Sequence, residues 1–593
     1  MKKFYLLLLL ALFQLNLYCQ HDNVFALQSS TGIRIAVDTT INEDAQLEPF
    51  NIKNTISGLA FSGEITLHSD SSLVRIILMD SHYNEYLIYE SYPLLADLRQ
   101  FSVEEAGEET FLLNNITPYR VILELIDASI YLKEFIISEG DKYQAKTKDD
   151  RLLTQTLIKI GRINQNIHSL GQKWVAGETS ISKLSYQEKK NMFGGRIPNL
   201  QGFEYYKGGI FALPGALEYN NTKENKQSVS QAVIESPYVD EINWCNRHGQ
   251  DWVTRVKSQG GLGSCMCFAA VSSVELLVNL FYNRHFNLDL SEQYCYSCAG
   301  TGHPAFEVDS GCINEKCFPY EAIDLPCSDQ CIIPVERIKI DSWGYFREQE
   351  DMKREIIRGS TSGSVPFWHH SMALIGYKVL HEGDTVFLNN SGTIDWNIIE
   401  SESPFIGLTA WLFKNSWGEW WGDKGYVYVI AEPQMILLHS YYGPVSSKNY
   451  DESDIICVDN DGDGYYTWGI GPKPAHCPLC PDEPDGDDSN PCLGPMNEYG
   501  QISLVTPPPL ADNATACEGE PVPDLIAIGE NIQWYDAADL SNLIHSGDTL
   551  TVEHTDLGTY NYYVTQTILG CQSLPVTVTL TIDPVPLSPT AKD

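Results

Sequence analysis

The chain has 593 residues, and at roughly 150 residues per domain that suggests about four domains. Hydrophobic residues are 43% and charged residues 20% of it, a globular composition and not a disordered one. Lys and Arg number 39 against 78 Asp and Glu, a net charge of −39. Such a balance argues against nucleic acid as a partner, because little is present to neutralise phosphates, and suits a secreted protein or one that binds cations such as calcium.

In chain order, Lys2 and Lys3 precede an apolar run from Phe4 to Phe13, and the chain turns polar at His21. This pattern predicts a signal peptide over 1–20, hence a secreted or cell-surface protein in an oxidising setting. The run is too short to span a bilayer, and no later stretch of 18 apolar residues predicts a transmembrane helix. Cys19 raises the question of a lipid anchor, but Tyr18 is bulky where a small residue is expected. Residues 23–145 alternate short apolar and polar runs rich in Val, Ile and Tyr, which predicts an antiparallel β domain. Over 150–212, Leu152, Leu153, Leu157, Ile160, Ile163 and Ile167 fall near helical spacing before Gly194-Gly195 and Gly208-Gly209 break it. Residues 213–235 read as a polar linker, 236–447 as a cysteine-rich centre, 450–497 as an acidic linker, and 503–585 as a β-patterned module.

The centre carries chemistry. A thiolate attacks an acyl carbon well only if a base keeps it ionised and donors receive the oxyanion. Gln259-Gly260-Gly261-Leu262-Gly263-Ser264-Cys265 runs into an apolar segment that reads as a helix, so Cys265 would stand at a helix N-terminus, where the dipole favours a thiolate. Ser291-Glu292-Gln293 follows, then His370 opening an apolar strand, then Asn415-Ser416-Trp417-Gly418.

These four pieces, in this order, resemble the papain-like cysteine peptidases (the cathepsin family) over about residues 236–445. The resemblance implies an α+β domain with a helical left lobe and a β-barrel-like right lobe, flanked by the N-terminal β domain and a C-terminal sandwich. It implies Cys265 as nucleophile, His370 as base, Asn415 as the acceptor that orients the imidazole, Trp417 as the shield over that bond, and Gln259 as an oxyanion donor beside the backbone N–H of Cys265. Counting six residues back from Gly376 selects His370 over His369. Cys265 to His370 is 105 residues and Cys265 to Asn415 is 150, against about 130–150 for both partners in the family. Val379 to Thr409 therefore reads as an insertion between strands, placed to sit beside the cleft.

The chain also departs from the family. Leu262 stands where a cysteine is usual and Met266 where an aromatic is usual, and no Gly-Cys-x-Gly-Gly segment lies between Cys298 and Cys312. One disulfide is thus lost as a unit, together with a glycine pair that usually lines the substrate cleft. Cys298 is expected to bond either Cys317 or Cys327. Trp174-Val175-Ala176-Gly177-Glu178 and Leu184-Ser185-Tyr186-Gln187-Glu188 resemble the last part of a cathepsin prosegment, with maturation between Leu213 and Pro237; a plain helical connector is the alternative.

In the acidic segment, Asp459, Asp461 and Asp463 alternate with small residues and can converge on one hard cation. Ile470 stands where an EF-hand has Glu, so the segment resembles instead the calcium loops of thrombospondin type 3 and dockerin repeats; Asp482 to Asp488 would complete the shell. A solvated acidic linker is the alternative. Cys477-Pro478-Leu479-Cys480 has zinc-knuckle spacing, but in an exported chain disulfides among Cys457, Cys477, Cys480 and Cys492 are the better expectation. Cys517 and Cys571 are expected to pin the two sheets of a C-terminal immunoglobulin-like module, a spacer or surface anchor. The reading is a secreted cysteine endopeptidase acting on proteins and peptides, made as a zymogen, with structural calcium and no catalytic cofactor. The rival is a non-catalytic adhesin or peptide-binding protein on the same fold.

Overall fold

The computed structural model of the chain describes residues 32–48, 55–139, 148–217, 236–299, 309–390, 393–431 and 436–585. The signal-peptide reading, Cys19, most of the predicted linker and residues 300–308 lie outside them.

Residues 33–138 fold as two four-stranded antiparallel sheets. The first runs β1 (Ile33–Ile41), β8 (Ala128–Ser138), β3 (Gly58–Leu67), β6 (Gln100–Ala106); the second runs β2 (Ala45–Leu47), β7 (Pro118–Ile126), β4 (Leu73–Asp80), β5 (Glu85–Ser91). Successive strand residues point to opposite faces, and β4 is buried on both. Its Val74, Ile76 and Leu78 fill the sandwich with Phe61, Ile65 and Ile130. Its Leu73 and Ile77 belong to a second core shared with Ile163, Trp174 and Phe203. Arg75 shares that second face and is 2% exposed. It bonds Glu90 at 2.7 Å, Glu124 at 3.2 Å and the carbonyl oxygen of Pro198 at 2.9 Å. Burial works against the guanidinium charge, but Glu90, Tyr186 and Glu124 outweigh it and hold its pKa above the ordinary value. Glu90 would be neutralised by burial were Lys159 and Arg75 not beside it; they bring its carboxyl down to about 2.

The helix expected after residue 150 is α1 (Lys148–Ser169), which buries Leu152, Thr156, Lys159, Ile163 and Ile167. A shorter helix, α2 (Tyr186–Phe193), starts on a Ser185–Glu188 capping box and stops at Gly194, whose φ of 65° is left-handed. Two strands from this region, β9 (Lys173–Ala176) and β10 (Tyr206–Ala212), extend a sheet whose other strands come from the central domain. Its order is β12 (Cys312–Ile313), β13 (Arg337–Phe346), β20 (Leu437–Ser447), β14 (Ser360–Val365), β15 (His370–Val379), β18 (Thr409–Lys414), β19 (Tyr426–Ile430), β10, β9, with β11 (Glu241–Asn243) also paired to β15. β10 pairs parallel to β19, with Ile210 opposite Tyr428. The insertion between β15 and β18 folds as a hairpin, β16 (Thr385–Asn390) and β17 (Thr393–Ile398), and β16 packs on β9 and β10.

The helical lobe is built on α3 (Cys265–Phe281), an apolar helix that packs on β14, β15 and β20. Its outer side, with Val271, Val274 and Val278, shares a core with Ile455 and Trp468. The acidic segment is therefore packed onto this lobe.

Cys298 bonds Cys327, Cys317 bonds Cys331, and Cys457 bonds Cys477. Cys571 corrects an expectation: it bonds Cys492, and Cys517 is exposed with a free thiol. The register explains the difference. Cys517 ends a strand that pairs with β21 (Val576–Asp583) at the level of Asp583, whereas Cys571 lies before the other end of β21, at Val576. The two cysteines sit at opposite ends of the module. Its two principal sheets, one of five strands and one of three, close over Trp534, Val564 and Leu580.

Removing a buried cation strands its partners, so Arg75→Ala should destabilise this region by about 3–5 kcal/mol. Hydrogen exchange in urea, followed on peptides from 33–138, should show their unfolding midpoint fall while the 506–584 peptides keep theirs.

Candidate active site

The site lies where α3 meets the sheet. Cys265 is the first residue of α3, with Ser264 at the cap, and is partly buried. The loop before it is held by Lys257, whose ammonium bonds Glu292 at 2.9 Å, Glu275 at 3.2 Å and the carbonyl oxygen of Leu290 at 3.0 Å. Ser291-Glu292-Gln293, singled out in the sequence, thus acts here as an anchor for the loop that carries Gln259.

His370 opens β15. His369 before it has a left-handed φ of 45° and is exposed, whereas His370 turns inward and is 2% exposed. Asn415 follows β18, the neighbour of β15, so adjacent strands deliver both groups. His370 Nε2 and Asn415 Oδ1 are 2.7 Å apart. The Trp417 ring lies over the imidazole, with centroids 4.6 Å apart and planes at 30°. Asn415 Oδ1 also accepts from the Ser416 N–H at 2.7 Å, which fixes which end of the amide faces the ring. Since Nε2 is engaged, Nδ1 is the nitrogen left for the thiol.

Gln259 is buried between the two lobes. Its N–H donates to Ser416 O at 2.8 Å, its Oε1 accepts from Ser416 Oγ at 2.6 Å, and its Nε2 donates to Leu262 O at 2.9 Å. With its oxygen occupied, the amide presents N–H groups toward the Cys265 end of the loop.

The electrostatics are those of a closed site. Burial pushes the Cys265 thiol above its ordinary pKa, against opposing interactions with Ser371 and the Met266 N–H. Burial likewise lowers His370 to about 4, opposed by the Asn415 hydrogen bond. Both changes favour the neutral pair over the thiolate–imidazolium ion pair. The covering is provided by α2. Phe193 sets its ring edge-on to His370 and to Trp417, both at 6.4 Å. Gly263, two residues before the nucleophile, lies so close to Met192 and Gly194 that a Cβ there would stand 3.1 Å from the Met192 carbonyl oxygen. Phe193 is the site residue that motif reading missed; its only signal was an aromatic just before Gly194-Gly195.

The other candidates lie elsewhere. Asp459, Asp461 and Asp463 group together on the acidic segment, and Asp461 also groups with Asp485 and Asp488. Among the described residues no helix is long and apolar enough to cross a membrane.

A sequence profile for the papain family cysteine protease matches residues 238–441, and one for an Ig-like domain associated with CHU_C matches 506–584. A viral cathepsin of Antheraea pernyi nuclear polyhedrosis virus is 30% identical over 320 residues, which cover 51% of this chain and 87% of the relative. A cathepsin L-like peptidase of Aedes aegypti is 31% identical over 35% of this chain and 66% of its own length. Digestive procathepsin L2 of Tenebrio molitor larval midgut aligns with 51% of this chain and 96% of its own at 16% identity and a TM-score of 0.34.

In the intact chain, the alkylation rate of Cys265 should keep climbing with pH through and above the ordinary thiol range, because both groups are held neutral. Phe193 is partly buried, so Phe193→Ala removes about 1–1.5 kcal/mol of burial and should speed that alkylation by about tenfold. Timed iodoacetamide labelling with peptide mapping reads both effects.

Proposed function

The chain belongs to the papain family of cysteine proteases, and from its residues we propose a secreted endopeptidase that is made as a zymogen and cleaves through an acyl-thioester on Cys265. The observation that carries this reading is the His370–Asn415 hydrogen bond beneath Trp417, set against a cysteine at the N-terminus of an apolar helix.

In the reaction, His370 Nδ1 takes the Cys265 proton, and the thiolate attacks the scissile carbonyl carbon. The helix dipole favours the thiolate, and the imidazolium pairs with it. The backbone N–H of Cys265 and the side-chain amide of Gln259 receive the oxyanion. His370 then gives its proton to the leaving amine, which departs as the acyl-thioester forms. A water, deprotonated by His370, attacks that thioester; the acid leaves and the thiol returns. Asn415 keeps the imidazole in the tautomer and plane that both transfers need. No metal or organic cofactor is part of this chemistry; a structural calcium ion on Asp459, Asp461 and Asp463 belongs to the same reading.

The zymogen reading rests on the placement of α2 over the site and on β9 and β10 in the peptidase sheet. Phe203 stacks on Trp368 at 3.6 Å, two residues before the base, and its carbonyl oxygen accepts from the Trp421 indole N–H at 2.9 Å. A cut between Leu213 and Pro237 would sever the covalent link but leave this core in place, so activation also needs α2 to be displaced or digested. The disulfides and the Ig-like module are consistent with an extracellular protein; export by 1–20 and surface attachment through the C-terminal module are part of the proposal.

Kinetics of the processed enzyme on casein and fluorogenic peptides test the reading. Cys265→Ala should abolish hydrolysis. Gln259→Ala should lower kcat by about 10²–10³-fold with KM little changed. Unchanged turnover in Cys265→Ala would sink the proposal.

A further inference from the structure

The acidic segment holds two turns side by side. The first spans Asp459 to Tyr465 and the second Asp485 to Asp488; they are tied by the Asp485 N–H to Tyr466 O bond of 3.0 Å and by the Asn460 N–H to Asp488 bond of 2.6 Å. In three of the carboxylates one oxygen is satisfied within its own turn. Asp461 Oδ1 accepts from Asp463 N at 3.2 Å, Asp463 Oδ1 from Tyr465 N at 2.7 Å, and Asp485 Oδ1 from Asp487 N at 2.9 Å. The second oxygen of each, Oδ2, is buried with no hydrogen-bond partner. Asp485 is only 5% exposed, so water does not serve it freely.

Buried, unpartnered carboxylate oxygens are normally neutralised or bound to a cation. Here they converge. Carboxylate oxygens of Asp461, Asp485 and Asp488 all lie within 4.8 Å of one another, and so do those of Asp459, Asp461 and Asp463. Oxygens bound to one calcium ion at about 2.4 Å can be no more than about 4.8 Å apart. The donor set is oxygen throughout, which disfavours zinc, and it offers more carboxylates than magnesium usually takes. Asp487, between two of them, is turned away to His248 at 3.2 Å.

We propose that calcium is bound by both turns together, with Asp485 and Asp488 joining Asp459, Asp461 and Asp463, and that the ion fastens the acidic segment across the two lobes of the peptidase. This deepens, and rests on, the calcium reading of the first turn. The lobe-spanning part follows from the flanks of the site. On one side, Ile456 N–H bonds Tyr282 O at 3.0 Å and Ile470 N–H bonds Leu280 O at 3.1 Å, both at the end of the helix that begins with Cys265. Gly469 approaches so closely that a Cβ would stand 2.0 Å from Leu280 O. On the other side, Tyr499 O accepts from Val239 N at 3.1 Å and Gln501 donates to Pro237 O at 2.8 Å, on the segment that leads through β11 into the sheet lobe. Drawing the two turns together therefore tightens a clasp from the catalytic helix to the start of the peptidase domain.

The test uses the full-length chain carrying Cys265→Ala, stripped with chelator and titrated with calcium chloride by calorimetry, with thermal unfolding alongside. Saturable calcium binding and a raised Tm are expected, with Asp485→Asn weakening binding by at least about tenfold and removing the Tm rise, and Asp482→Asn behaving as the parent. If Asp485→Asn binds as the parent while Asp461→Asn does not, the first turn alone is the site and the two-turn proposal is overturned. If the parent neither binds calcium nor gains Tm at millimolar concentration, both readings fall. Neither readout depends on peptidase activity.

Discussion

The nucleophile and its base are carried by different lobes, so the 2.7 Å bond between His370 and Asn415 is useful only while the helix bearing Cys265 is held against the sheet bearing both partners. The crossing that holds it is short. Gln259 N–H to Ser416 O at 2.8 Å and Gly418 N–H to Lys257 O at 3.1 Å pair the loop before the nucleophile with the loop after Asn415. Ser416 Oγ then spans to Gln259 Oε1 at 2.6 Å. The same pairing orients the amide that would receive the oxyanion and the amide that orients the imidazole, so a shift of one loop misplaces both. Lys257, Glu275 and Glu292, buried behind it, make the arrangement rigid: each charge is paired, and loss of one would strand the others.

The segment over the site shares its core with the enzyme. Phe203, Phe211 and Trp174 belong to one apolar cluster with Trp368, Trp421 and Phe413 of the peptidase domain. Leu73 and Ile77 of the N-terminal sandwich enter the same cluster, so β4 links the sandwich core to the peptidase core. The hairpin inserted between β15 and β18 packs on β9 and β10, and its Val386 is buried in that cluster too. Covering the dyad in this way keeps thiol and imidazole neutral by desolvation, with no need for a specific inhibitory charge.

The α+β class and the chemistry of the centre were legible because they depend on residue type at fixed spacing: a cysteine opening an apolar helix, a histidine opening a strand, Asn415 two residues before Trp417. What depends on how distant segments meet was not. The insertion from Val379 to Thr409 could be delimited from spacing, but only tertiary packing places its hairpin, a separate two-stranded sheet, on the added strands. Cys517 and Cys571 looked like a sandwich pair in the sequence, but pairing follows register, which sets Cys517 beside Asp583 at one end of β21 while Cys571 precedes the other end. Asp485 reads as one more acid in a solvated run; it is buried in a turn whose backbone bonds Tyr466 and Gly494 of other segments, which no local pattern announces. Phe193 is silent for the same reason.

The central claim is that Cys265 is a competent nucleophile once its cover is removed. The most direct measurement is labelling of the processed, reduced protein with an epoxide-type cysteine-peptidase inhibitor, read by intact mass and peptide mapping. The account predicts one adduct, on Cys265, and none on Cys267, Cys480 or Cys517. No adduct after the 148–213 segment has been shown to be gone, or an adduct at another cysteine with Cys265 unmodified, would contradict it.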